Sequence, residues 1–122
     1  MTATSVGPSV SDLVTIDVAS SDGLVRLTAA GEIDSTSAPV LRERIEAVLD
    51  GDAHTLVVDL VGVTFLDSAG LCVLAAAHRR ATRQDVVMRV VASSRAVIRP
   101  LQITGLWSLL GASQVAQESG AA

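Results

Sequence analysis

Two short runs of mostly apolar, β-branched residues constrain this chain more than any other feature. They are Thr55-Leu56-Val57-Val58-Asp59-Leu60-Val61 and residues 86–92. Runs of this kind read as strands, and a near-continuous apolar strand is the mark of burial on both faces, as in parallel sheets. Parallel neighbours require a crossover, and the sequence places helical patterns where crossovers are needed. Leu41, Ile45, Val48 and Leu49 recur at helical spacing while Arg42, Glu43, Arg44 and Glu46 face outward, and Asp50-Gly51 closes the pattern. Pro39 fits the first turn of that helix, where its missing N–H is no loss, and the Ser and Thr residues before it are good N-caps.

The remaining elements follow the same logic. Residues 13–18 and 24–30 are separated by Ser20-Ser21-Asp22-Gly23, a turn signal that joins them as an antiparallel hairpin. A second helix opens at Asp67-Ser68-Ala69-Gly70 and runs to about Thr82, with Leu71, Leu74, Ala75 and His78 on one face. Ser93-Ser94 cap a third, carrying Val97, Ile98 and Leu101 and ending near Thr104-Gly105. Pro100 costs that helix the bond to the Ala96 carbonyl, so it should be kinked or short. Residues 106–110 read as a last strand and residues 114–122 as at most a frayed helical turn or two. The order β-β-α-β-α-β-α-β implies an α/β domain with a mixed sheet, parallel except for the first hairpin. Residues 1–11 read as a loose tail, 12–112 as one domain and 113–122 as a short C-terminal segment; there are no internal repeats.

Composition narrows the function. With 122 residues the chain suits one domain, and at 49% hydrophobic with a mean hydropathy of +0.50 it is too apolar for disorder. No apolar run approaches the ~18–20 residues of a spanning helix, so membrane insertion is not expected. Nine arginines, no lysine and thirteen acidic residues give a net charge of −4. A weakly acidic domain without a basic stripe is a poor fit to nucleic acid. The N-terminus has no charged or apolar region of a signal peptide, and the expected location is cytoplasmic.

Few residues are equipped for catalysis. His54 opens a strand and His78 sits on a helix face, both reading as structural histidines; no ligand spacing supports a metal, and no cofactor is implied. The single cysteine, Cys72, reads as a packing residue. Ser68 stands at a strand-to-helix junction, as hydrolase nucleophiles do. Its neighbours read Leu66-Asp67-Ser68-Ala69-Gly70, without the GxSxG elbow or a placed base, so an enzyme is not expected. Ser68 therefore reads either as a plain N-cap or as a hydroxyl able to carry a phosphate, which a helix N-terminus tolerates. Gly70 allows close backbone approach in that first turn, and small Ala69 keeps the tip open.

Two segments carry a resemblance. Gly31-Glu32-Ile33-Asp34-Ser35-Thr36-Ser37-Ala38-Pro39-Val40-Leu41-Arg42 and Val63-Thr64-Phe65-Leu66-Asp67-Ser68-Ala69-Gly70-Leu71 resemble the two hallmark motifs of bacterial anti-sigma factor antagonists, single STAS domains of sporulation and stress regulation. The resemblance spans residues 12–110 and includes Thr104-Gly105-Leu106-Trp107. It implies a STAS-like fold and a partner switch. Ser68 matches the serine phosphorylated by an anti-sigma factor that is itself a serine kinase, and a serine phosphatase resets it. It also implies a partner surface of Glu32, Asp34, Ser35, Thr36, Asp67, Ser68, Ala69, Gly70 and Leu71. Ala69 departs from the second hydroxyl common in the motif, which leaves Ser68 as the sole acceptor at the tip. Pro100 and the short C-terminus are further departures, at places that bear on partner choice. The competing implication is a constitutive STAS module, either a soluble subunit of a lipid-transport ATPase complex or an antagonist set by a redox or ligand cue.

Overall fold

The computed structural model describes residues 13–116, so the expectations for residues 1–11 and 117–122 lie outside the described residues. Its elements run β1 (Val14–Ser21), β2 (Leu24–Ile33), α1 (Ala38–Leu49), β3 (Thr55–Leu66), α2 (Ser68–Arg83), β4 (Val87–Ala92), α3 (Arg95–Ile103), α4 (Leu106–Leu109) and β5 (Ser113–Gln114). The strands form one mixed sheet in sequence order. β1 pairs antiparallel with β2, through a turn in which Asp22 and Gly23 both take positive φ, and every other pairing is parallel. Helices alternate with the parallel strands, as the crossover requirement dictates.

The expectation that residues 55–61 are buried on both faces is corrected. Leu56, Val58 and Leu60 are buried, while Thr55, Val57, Asp59 and Val61 are only half-buried. Leu27, Val58 and Val90 stand in register on the covered face, continuous with Leu41 and Ile45 of α1 and Leu74 of α2 in one apolar core. On the opposite face the Arg26 Nη2 donates to the Asp59 carboxylate at 2.7 Å. The apolar character of Val57 and Val61 reflects β-propensity on a pleated surface rather than double burial.

β3 also runs further than its first apolar stretch suggested, to Leu66, because two irregularities realign it against β2. The register shifts between Thr28 and Ala30 and again between Gly31 and Glu32, so β3 takes up extra residues at each point. Asp59 Oδ1 accepts the Val61 amide at 2.9 Å at the first shift. The net effect restores parity: Ile33 and Leu66, the last residues of the two strands, pair with each other and both point into the core.

Three further corrections concern the helices. Residues 106–110 are not a strand: Gly105, at φ +80°, stops α3 and starts the short α4, and the last strand is β5. Leu106 and Leu110, one turn apart, face inward at a helical period that outweighs the β-propensity of so short a run. The buried face of α2 is Gly70, Leu74, Ala77 and Ala81, rather than Leu71, Leu74, Ala75 and His78. Bulky Leu71 and His78 are half-buried at the margin, and small residues face the core because α2 packs closely on α1 and the sheet. Cys72, expected to pack, is exposed. Pro100 is accommodated inside α3, which is short as expected.

Gly31 shows the tightest constraint on the sheet. Its φ is +108°, and a Cβ built there would stand 2.0 Å from the Leu13 carbonyl oxygen, which accepts the Glu32 amide at 2.8 Å. Gly31→Ala should therefore cost about 2–4 kcal/mol, the sum of a disfavoured backbone region and a backbone clash. Urea denaturation measures this, and a loss under about 0.5 kcal/mol would contradict the geometry.

Candidate functional site

The C-terminal ends of β2 and β3 lie side by side, and each strand leads directly into the loop or cap of a helix. The Asp67 amide donates to the Ile33 carbonyl at 3.1 Å, extending the ladder one step beyond the strands. Through that bond the segment from Glu32 to Ser37 and the start of α2 become one surface. The two sequence segments singled out above are thus brought together by strand pairing.

The loop after β2 is built around Asp34. Its Oδ1 accepts the Thr36 hydroxyl at 2.7 Å, the Thr36 amide at 2.9 Å and the Ser37 amide at 3.1 Å. Ser37 occupies the N-cap position of α1, but its side chain does not cap the helix. Its hydroxyl turns back, accepting the Asp34 amide at 2.9 Å and donating to the Glu32 carbonyl at 2.7 Å. Ser37 is fully buried, the sole buried polar residue among those described, and so fixes the loop from inside. The Thr36 hydroxyl, followed by the Thr36 and Ser37 amides, holds the Asp34 carboxyl below the ordinary carboxylate range. Asp34 is therefore an anion at neutral pH, with Ser35 and Thr36 exposed beside it.

The start of α2 removes one of the readings of Ser68, the plain N-cap. The N-cap is Asp67, in extended conformation, whose Oδ1 accepts the Ala69 amide at 2.9 Å and the Gly70 amide at 3.4 Å. Ser68 is thus the first helical residue, with an exposed side chain and no capping duty. Gly70 is buried, and a Cβ there would meet Leu66 Cδ1 at 2.4 Å and Ile33 Cγ2 at 2.8 Å. This seats the first turn of α2 on the ends of both strands. Ala69 and Leu71 are half-buried around it, and Glu32 is exposed.

Sequence reasoning missed two residues of this site, one on its surface and one beneath it. Phe65 pairs with Glu32 across the strands and is 46% exposed, one of the few large apolar side chains open to solvent. The signal was its place one residue before the buried Leu66, but the strand irregularity that sets its direction is invisible in sequence. Ser37 is the other; its signal was a third hydroxyl residue immediately before the helix.

His54 and His78 are not at this surface's cap or loop bonds, and no group of three or more His, Cys, Asp or Glu able to hold a metal occurs among the described residues. No described helix is long and apolar enough to cross a membrane.

Two outcomes test the geometry. Replacing Asp67 by Ala should cost about 1 kcal/mol in urea denaturation, the usual worth of an N-cap carboxylate; no loss would mean the cap is idle. A lowered carboxyl pKa stabilises the fold above the ordinary value near about 4, and that contribution disappears as pH falls through the folded pKa. Carboxyl-carbon NMR should thus place the Asp34 midpoint below that of an ordinary aspartate, and Thr36→Ala should raise it; an unmoved midpoint contradicts the assigned cause.

Comparison with known proteins completes the picture. A family model described as the STAS domain matches residues 15–120. An anti-sigma-F factor antagonist, RsfB of Mycobacterium tuberculosis, is 39% identical over 95 residues, covering 78% of this chain and 77% of the relative. An anti-sigma-B factor antagonist of Bacillus subtilis is 32% identical over 100 residues, covering 82% of this chain and 91% of the relative. A crystal structure of an anti-sigma factor antagonist from Mycobacterium paratuberculosis superimposes with a TM-score of 0.76 at 36% identity, covering 81% of this chain and 84% of that one.

Proposed function

The chain belongs to the STAS-domain family, among its anti-sigma factor antagonists, and on that premise we propose that Ser68 is the switch of this one. Unphosphorylated, the chain binds a cognate anti-sigma factor and frees the sigma factor it holds. Phosphorylated on Ser68, it is released. The anti-sigma factor is itself the serine kinase, and a separate serine phosphatase restores the binding form. ATP and magnesium belong to the kinase; this chain is the substrate and supplies no catalytic group. In the transfer, Ser68 Oγ bonds to the γ-phosphorus, the bond to the β-phosphate oxygen breaks, ADP leaves, and the hydroxyl proton passes to a base on the kinase.

The observation that carries this reading is the position of the Ser68 side chain. It is exposed at the first residue of α2, and the capping duty that would otherwise occupy a serine there is met by Asp67. The hydroxyl is free to enter another protein's active site, while the seating of Gly70 keeps its backbone fixed. The partner surface is Glu32, Asp34, Ser35, Thr36, Asp67, Ser68, Ala69 and Leu71, with exposed Phe65 beside them; Gly70, expected on that surface, is buried beneath it and seats the turn instead.

The same geometry supports an electrostatic release. A phosphate adds about −1.5 to −2 charges. The helix N-terminus tolerates that charge locally, so the fold persists. The added charge stands beside Asp67 and the ionised Asp34, so a partner surface matched to the unmodified tip meets a strongly anionic one instead. Because Ala69 has no hydroxyl, a single phosphate sets the state.

In a pull-down with the cognate kinase, Ser68→Ala should remain bound in the presence of ATP, while Ser68→Asp should bind more weakly, though less so than true phosphoserine. Equal retention of the two variants would remove the switch. Phosphopeptide mass spectrometry of protein from native cells should find phosphate on Ser68 that falls under stress; a residue bare in every condition with phosphatases blocked would favour a constitutive module.

A further inference from the structure

Charge is unevenly divided along this chain. Residues 86–117 contain three arginines and no acidic residue, in a protein whose net charge is −4. Two of those arginines, Arg95 and Arg99, lie one turn apart on the outer side of α3, both exposed. Among the described residues neither has a carboxylate partner; the ion pairs there are Arg26–Asp59 and Arg80–Asp50. One turn further along the same stripe is Ile103, 76% exposed, the most exposed large apolar side chain described. With Ala96, Pro100 and Thr104 these residues line a shallow open groove of about 590 Å³.

The other side of α3 is already committed. Val97, Ile98 and Leu101 are buried in the core, so the outward stripe is not a core face left unpacked. The stripe repeats at one helical turn: cation, cation, apolar, spaced about 6 Å apart along the axis. Small Ala96 and the ring of Pro100 lie between these projecting side chains and leave room for another element to approach closely.

We propose that this stripe is a second docking surface, separate from Ser68, and that its occupant is an acidic amphipathic helix of a partner protein. Carboxylates on successive turns of that helix pair with Arg95 and Arg99, and an apolar side chain on the next turn covers Ile103. Charge complementarity selects this occupant. A second copy docking α3 on α3 would bring the arginines of both copies together. An anionic membrane would meet only two cations and one apolar side chain, because the rest of the helix's apolar surface lies in the core.

The test is an NMR titration of the full, isotope-labelled chain with a synthetic helical peptide carrying Glu at i and i+4 and Leu at i+8 on one face. Amide shifts should concentrate on residues 95–104 and weaken as salt is raised. The double variant Arg95→Glu/Arg99→Glu should weaken binding about tenfold, since each exposed pair is worth at most about 1 kcal/mol. The same variant should recover binding to a peptide with Lys in place of Glu. Both arginines are exposed, so the fold is not at stake, and Ser68→Asp should leave peptide binding unchanged, which separates this surface from the switch. The proposal is overturned by equal binding of the Glu and Lys peptides by the unmodified chain, or by shifts that map away from α3. It is equally overturned by a concentration-dependent dimer that Ile103→Ser dissolves, or by sedimentation with phosphatidylglycerol vesicles when the acidic peptide does not bind.

Discussion

The bond from the Asp67 amide to the Ile33 carbonyl closes the parallel ladder between β2 and β3, and most of what distinguishes this molecule hangs on that closure. It forms because two register shifts return the ends of both strands to the same phase, with Ile33 and Leu66 paired and facing inward. Those two side chains make the floor on which Gly70 rests, so the first turn of α2 is set by the strands beneath it. A backbone hydrogen bond, two apolar side chains and the absence of one methyl group therefore position the exposed hydroxyl above them. Each part would be ordinary alone. Their coincidence at the end of one strand pair gives two distant segments of the chain a common surface.

The two halves of that surface are fixed by different means. Around Asp34 the loop is held by side chains, with one carboxylate oxygen and one buried hydroxyl organising the backbone from Glu32 to Ser37. At the start of α2 the backbone is held by a single carboxylate cap and by packing. Both carboxylates face inward to amides and a hydroxyl, and so serve local structure and surface charge at once. Such a surface is preorganised, and adding charge to it alters what it attracts more than how it is shaped.

The architecture was legible because crossover logic is strict. Apolar runs with β-branched residues, helical stripes and the Asp22-Gly23 turn lead to the mixed sheet and its pairing senses, and two motif segments far apart in the chain lead to the surface that the strands bring together. What escaped was whatever depends on counting residues across a pair of strands. The extra residues in β3 cannot be seen in one strand alone, and they determine that Phe65 points to solvent while Leu66 does not. The cap stays open in the sequence for a related reason: Asp and Ser are comparable N-caps, and only the extended backbone at Asp67 decides between them. The stretch from Leu106 reads as a strand on composition alone, and the positive φ at Gly105 that starts a helical turn there leaves no mark in those residues. The burial of one sheet face, rather than two, was hidden because valine suits a pleated surface whether or not it is covered.

β5 is only two residues long and reaches only Val91 and Ala92, so the outer margin of β4 from Val87 to Val90 has no strand beside it among the described residues. An open margin is a template for another backbone, and in a crowded cell it invites copies to stack edge on edge. Arg89, exposed in the middle of that margin and close to Gly111, sets a like charge against the same margin of a second copy. A charge at that position works against the pairing of two such margins.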